Sequence, residues 1–281
     1  MTGAPSGSDW IERFVTVDDG PVQVHVAAGR SDTPALVFLH EGLGSVSLWR
    51  DFPDAVRVAC GAPTSVVFSR HGYGQSAVVR EPRTVDYMHR EALDVLPALL
   101  EVLGVARPLL VGHSDGASIA LIHAGAGHPV AGLVLLAPHV FVEDETIDGI
   151  ETARTQYETT DLRSRLARHH DDVDATFRGW NDIWLSPEFR AWNIEDDLAA
   201  VAAPALLIQG EADQYGTLAQ LDSIERRMEG TAERLVVPGA GHAPHLDDPQ
   251  RVVAAIAAFW RRVTAVSPSG GPRAPADSGG D

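Results

Sequence analysis

The chain reads as an α/β protein built on a mostly parallel central sheet flanked by helices, with a helical cap inserted late in the sheet. Three observations lead there. Short apolar runs recur along the chain, segments of helical period separate the later ones, and a long polar and aromatic stretch interrupts the alternation. Apolar runs without polar alternation suit strands covered on both faces. Strand–helix alternation suits parallel strands joined by right-handed crossovers.

Taken in order, the predicted strands are PVQVHVAA (21–28), ALVFLH (35–40), SVVFS (65–69), PLLVGH (108–113), GLVLLA (132–137), ALLIQG (205–210) and RLVVPG (234–239). VDYMHREALDVLPALLEVLG (85–104) is a predicted helix that places Leu93, Leu96, Leu99, Leu100 and Leu103 on one face. DPQRVVAAIAAFWRRV (248–263) is another, with Pro249 in its first turn. Residues 139–203 form too long a stretch to lack structure of their own. They are predicted to be a helical lid over the sheet edge. The expected organisation is a core of residues 9–138 and 204–265, a cap of 139–203, and disordered ends at 1–8 and 266–281.

At 281 residues and 44% hydrophobic content the chain can bury a sizeable core. Its formal charge is −17, and all 22 basic residues are arginine. Without lysine there is no Schiff-base or phosphate-loop lysine. The acidic balance argues against nucleic acid and anionic membrane as partners, so a small-molecule substrate is expected, with a homodimer left open. A single cysteine, Cys60, excludes an internal disulfide and a thiolate metal cluster. It reads as a small buried filler at a helix end. No signal-peptide core opens the chain, and no run approaches the roughly 18 apolar residues of a membrane span. A cytoplasmic protein is expected.

The chemistry-bearing stretch is VGHSDGAS (111–118), a G-x-S-x-G turn between a predicted strand and a predicted helix. The glycines relieve clashes at a strained turn, and the helix beginning near Asp115 presents free N–H groups beside Ser114. A serine hydroxyl needs a base to become a nucleophile. Asp213, in QGEADQYG, and His242, in GAGHAPH, each follow a predicted strand. The order Ser114, Asp213, His242 is that of a triad built on strand ends: His242 takes the serine proton and Asp213 orients the imidazole. Glu211 and His245 are weaker competitors for the acid and the base, and His113 reads as a packing residue. The run HHDDVD (169–174) resembles a metal site in composition, but without a helical histidine pair it reads as a solvated face. The alkoxide formed in acyl transfer needs two preorganised donors. The Asp115 N–H is one candidate, and the loop HEGLGS (40–45) should supply the other.

Together HEGLGSVSLW, SRHGYGQS, GHSDGAS, QGEADQYG and GAGHAPH resemble the α/β-hydrolase superfamily over roughly residues 10–264. The resemblance implies the α/β-hydrolase fold and assigns the second oxyanion donor to Gly42, with Leu43 a weaker candidate. Two positions depart from the family's common pattern. Glu41 replaces a glycine, and is expected to point away and be hydrogen-bonded or paired with an arginine. Ser69 replaces an aspartate. Serine at the nucleophile position weakens the resemblance to the dehalogenase and epoxide-hydrolase branches.

In the cap, Phe177, Trp180 and Trp184 share one helical face, followed by Phe189 and Trp192. These rings either pack the cap or line an acyl pocket. Leu43, His139, Val140, Trp180 and Trp184 are the candidate substrate contacts. No cofactor motif is present, since the glycines of HEGLGS do not complete a dinucleotide fingerprint. The expected function is a cofactor-independent serine hydrolase of a small ester, lactone or thioester. Hydrolysis of a C–C bond in a vinylogous diketone is the first alternative. Acyl transfer and a non-catalytic ligand receptor follow.

Overall fold

The computed structural model describes residues 9–18 and 20–265. The ends expected to be disordered, 1–8 and 266–281, lie outside the described residues. Eight strands form one sheet in the order β1-β2-β4-β3-β5-β6-β7-β8. They are β1 (Trp10–Val17), β2 (Gly20–Ala27), β3 (Leu36–Leu39), β4 (Ser65–Phe68), β5 (Leu109–His113), β6 (Gly132–Leu136), β7 (Ala205–Gly210) and β8 (Ala232–Val237). β2 runs antiparallel to both β1 and β4, and every other pairing is parallel. The predicted fold class is the observed one.

Strand β1 was not among the predicted strands. It pairs with β2 alone, and Ile11 and Phe14 stay exposed, so its sequence carries no strong apolar period. The central strands are the opposite case. Leu36, Phe38, Leu109, Val111, Val134, Leu136, Leu206 and Ile208 point to one face. There they meet Phe52 and Val56 of α1 (Phe52–Ala59) and Val252, Ile256 and Phe259 of α10 (Pro249–Ala265). Their neighbours Val37, Leu39, Leu110, Leu133, Leu135 and Leu207 point to the other face. Each fully buried side chain of this kind contributes about 1.5–3 kcal/mol, so a one-residue slip would be prohibitive.

The second face is covered by α2 (Tyr87–Arg90), a π turn at Glu91–Val95, α3 (Leu96–Leu103) and α4 (Asp115–Gly125). The π turn corrects the predicted single-faced helix. Its wider turn rotates Leu93 outward to 39% exposure, while Leu96, Leu99 and Leu100 stay buried and Leu103 is half-buried. His123 of α4 donates Nδ1–H to the Ala92 carbonyl within this turn, at 2.8 Å.

Between β6 and β7 the chain passes through α5 (Asp144–Thr159), α6 (Leu162–Leu166), α7 (Val173–Trp184) and two 3₁₀ turns, Pro187–Ala191 and Asp197–Ala200. Asp172 caps α7 by accepting from the Ala175 N–H at 3.0 Å. Val173, Phe177, Trp180 and Trp184 then recur at helical spacing and are all buried. After β7 come α8 (Ala219–Arg227) and α9 (Pro244–Asp247), the latter just before α10. Among the described residues no helix is long and apolar enough to cross a membrane.

Candidate active site

The turn from β5 into α4 holds Ser114 at φ 52°, ψ −117°, a conformation costly for a residue with a side chain. The flanking glycines permit it. A Cβ at Gly112 would run into the backbone of Gly116 and Ala117, and one at Gly116 into the carbonyls of Leu39 and His40. The Ser114 N–H donates to the Leu136 carbonyl at 2.9 Å, which ties the turn to β6. Ser114 therefore stands at the carboxyl edge of the sheet. The N–H groups of Asp115 and Gly116, at the very start of α4, have no intrahelical acceptor, whereas that of Ala117 already donates to the Ser114 carbonyl at 2.8 Å.

Asp213 and His242 come together. His242 Nδ1 lies 2.9 Å from Asp213 Oδ1 and 3.0 Å from Oδ2, with the carboxylate only 1% exposed. The Tyr215 N–H and Gln209 Nε2 also donate to that carboxylate, at 2.9 and 3.3 Å. Burial pulls the Asp213 carboxyl upward, but the His242 hydrogen bond and charge outweigh it and hold it below its ordinary range. The ionised acid thus keeps the His242 proton on Nδ1 and leaves Nε2 as the basic nitrogen. The turn carrying His242 touches the elbow, because His113 Nε2–H donates to the His242 carbonyl at 2.7 Å. Among the described residues no hydrogen bond joins Ser114 Oγ to His242 Nε2. Such contacts often tighten only when substrate binds. Of the competitors, Glu211 instead accepts from the Gly239 N–H. His245 is packed between Trp49, Phe52 and His113.

The loop after β3 is held by groups that its sequence does not advertise. The Glu41 carbonyl accepts from His40 Nδ1–H at 2.7 Å, Arg70 Nη2 at 3.0 Å and the Gly44 N–H at 3.1 Å. A trans peptide is planar, so the Gly42 N–H points opposite to that carbonyl and away from these donors. His40 Nε2 accepts from the Arg70 N–H at 3.0 Å, which leaves the ring neutral. Burial first, and then the Arg70 charge, keeps its pKa well below the ordinary histidine value. Arg70 is itself buried, 3.6 Å from the buried carboxylate of Asp115. Tyr87 OH donates to that carboxylate at 2.7 Å, and Trp184 Nε1–H donates to Tyr87 OH at 3.0 Å. One buried guanidinium therefore links both loops that carry candidate oxyanion donors. Neither Arg70 nor Tyr87 stood out in the sequence, since their partners lie far along the chain.

Two expectations, for His113 and for HHDDVD, need correction. Glu41, expected to be hydrogen-bonded or paired with an arginine, takes a histidine: its carboxylate lies 3.5 Å from His113 Nδ1, and Arg70 takes its carbonyl. Burial opposes charging of both groups, yet their mutual contact lowers the Glu41 pKa and raises that of His113. His113 is thus more than packing. The run HHDDVD is not a solvated face either. His170 is buried, bonding the Gly74 N–H and the Leu43 carbonyl, and Asp174 pairs with Arg163 and Tyr157. Among the described residues no group of His, Cys, Asp and Glu is arranged to hold a metal ion.

Of the candidate substrate contacts, Trp180 lies directly over Gly42, where a Cβ would collide with its indole. Trp184 packs edge-on against His139, with ring centroids 5.3 Å apart, and His139 lies 5.6 Å from His242. Burial first, and next the neighbouring His242, lowers the His139 pKa to about 3, so this ring is neutral. Val140 is buried and donates its N–H to Gln220, while Leu43 is half-buried.

Residues 36–255 match the family model described as "Alpha/beta hydrolase family". The chain belongs to this family. Among its relatives, the 2-succinyl-6-hydroxy-2,4-cyclohexadiene-1-carboxylate synthase of Enterobacter sp. (strain 638) is 25% identical over 83% of this chain and 94% of that one. Serine hydrolase BPHL of Homo sapiens is 28% identical over 65% of this chain and 64% of its own length. The chloroplastic protein PHYLLO of Arabidopsis thaliana is 23% identical over 86% of this chain, which spans 16% of that protein. Among solved structures, haloalkane dehalogenase DbeA from Bradyrhizobium elkani USDA94 superposes with a TM-score of 0.71 at 19% identity, covering 92% of this chain and all of that one. That likeness shows the α/β-hydrolase fold alone.

Proposed function

We propose that this α/β hydrolase is a cofactor-independent serine hydrolase that cleaves a small carboxylic ester, lactone or thioester through an acyl-enzyme. The observation that carries the reading is the buried Asp213 carboxylate on His242 Nδ1, with the His242 turn bonded through His113 to the strained elbow that bears Ser114. In this reading His242 Nε2 takes the proton from Ser114 Oγ as the hydroxyl attacks the acyl carbon, and then returns it to the leaving group. Asp213 stabilises the imidazolium formed in between. The Gly42 and Asp115 N–H groups hold the alkoxide, with Arg70 offsetting the buried charge of Asp115. Residues 139–203 serve as the cap. Trp180, Trp184, His139, Val140 and Leu43 contact the acyl group, whose size is then set by three aromatic rings and two aliphatic side chains. Small-molecule substrates and a cytoplasmic location belong to the same reading.

The similarity to the cyclohexadiene-carboxylate synthases over 83% of the chain favours a second reading. There Ser114, His242 and Asp213 act on a vinylogous diketone, and water cleaves its C–C bond to give a carboxylic acid and a protonated carbon fragment. Initial rates on p-nitrophenyl esters from acetate to decanoate, beside a dienone ring-fission substrate, separate the two. Ester turnover that peaks at one chain length and vanishes in Ser114→Ala supports the first reading. Fast dienone turnover with feeble ester turnover supports the second.

A further inference from the structure

The histidine pair in HHDDVD has no part in the chemistry above, yet it meets the loops beneath that chemistry. His170 is 6% exposed and makes two hydrogen bonds to backbone. Its Nδ1 accepts from the Gly74 N–H at 3.0 Å, so its proton sits on Nε2, which donates to the Leu43 carbonyl at 3.0 Å. The peptide joining Leu43 to Gly44 is thus clamped at both ends. Its carbonyl goes to His170, and its N–H goes to the Glu41 carbonyl at 3.1 Å. That Glu41 carbonyl belongs to the same peptide plane as the Gly42 N–H.

Other contacts from the same short segment point the same way. His169 Nδ1 bonds Ser47 Oγ at 2.8 Å, and the Asp171 N–H donates to the Gly74 carbonyl at 2.9 Å. Thr176 Oγ1 donates to the Gly72 carbonyl at 2.7 Å, and the Trp180 indole rests on Gly42. Residues 169–180 therefore fasten to the loop after β3 and to the turn at 72–74.

We propose that His170 is a positioning residue that locks the loop bearing the Gly42 N–H, so the oxyanion donors are aligned only while its two bonds, to the Gly74 N–H and the Leu43 carbonyl, are made. This rests on the serine-hydrolase reading. The latch needs one acceptor and one donor on opposite edges of a short planar group, which neutral imidazole provides. A glutamine amide offers the same pair, whereas alanine leaves Gly74 N–H and Leu43 C=O without their partner.

The test compares wild type with His170→Ala, His170→Gln and Thr176→Val, the last loosening the same segment without touching residues 41–44. Three quantities are read: kcat and KM on the best p-nitrophenyl ester, and amide hydrogen exchange at residues 42–44. In His170→Ala, kcat should fall about tenfold or more with KM within about twofold, because alignment is lost rather than binding. Exchange at 42–44 should quicken, His170→Gln should recover kcat and slow exchange again, and Thr176→Val, which keeps both His170 bonds, should stay near wild type. Wild-type kcat and exchange in His170→Ala overturn the proposal. An equal loss in Thr176→Val with no recovery in His170→Gln also overturns it, since the role is then general packing. Quickened exchange in His170→Ala, in a protein without Ser114-dependent turnover, upholds the lock and removes the hydrolase reading instead.

Discussion

At Ser114 the chain holds a side chain in a conformation suited to glycine, φ 52° and ψ −117°. Strain of this kind costs about 1–3 kcal/mol. Ser114→Gly is therefore expected to abolish turnover and yet raise the unfolding free energy by about 1 kcal/mol in urea titration. A destabilised Ser114→Gly would mean that the elbow stores no strain. Asp213→Asn keeps the shape of the His242 contact but leaves no anion to hold the proton on Nδ1, and kcat should drop by about 10⁴ with KM little changed. Arg70 offers a third case. Arg70→Met strands the Asp115 carboxylate in the interior, which should cost about 3–5 kcal/mol of stability. Adding Asp115→Asn should return part of that loss, and strictly additive losses in the double variant would show that the two groups are not coupled.

At the scale of elements, function depends on how closely loops approach one another. Gly42 has no room for a Cβ under Trp180. Gly42→Ala must lift the α7 indole or turn the loop, and should cut kcat by about 10²-fold or more. Pairing it with Trp180→Phe, a smaller ring, should recover part of the loss; steady-state kinetics on one ester decides the matter. This level also shows what the sequence could reveal. The contact of Asp213 with His242 could be anticipated over one from Glu211, because Glu211 falls earlier in the turn after β7, directly behind Gly210. The central strands were legible because both faces are buried. β1 was not, since an edge strand with exposed Ile11 and Phe14 carries no clean period. The π turn was hidden because Leu93 fits an ordinary helical face on paper. Arg70 and His170 were hidden for another reason. Their partners are backbone groups 30 and 127 residues away, so no local pattern announces them. The aspartates around His170 made its surroundings read as wet.

Across the whole molecule, the buried histidines set the response to acid. Burial lowers His123 and His170 to about 4 and His139 to about 3, from an ordinary 6.5. A histidine depressed in the folded state contributes stability that is full above 6.5 and is lost as pH falls toward its folded value. Only below that value does the folded form take up the proton. His113, whose pKa is raised, contributes in the opposite sense, and the depressed Asp213 adds a loss at still lower pH. The melting temperature should therefore fall steadily as pH drops from 6.5 to 4, where the depressed histidines outnumber His113. A melting temperature that rises on acidification from 7 to 5 would contradict the neutral state of these rings. In the proposed reaction Ser114 carries the acyl group. The most direct measurement is intact-protein and peptide mass spectrometry on samples acid-quenched milliseconds after mixing with a turned-over p-nitrophenyl ester. The expected result is an acyl mass gain on the peptide containing Ser114, formed within the p-nitrophenolate burst and absent in Ser114→Ala. Undiminished turnover in Ser114→Ala, with no acyl group on that peptide in wild type, would contradict it.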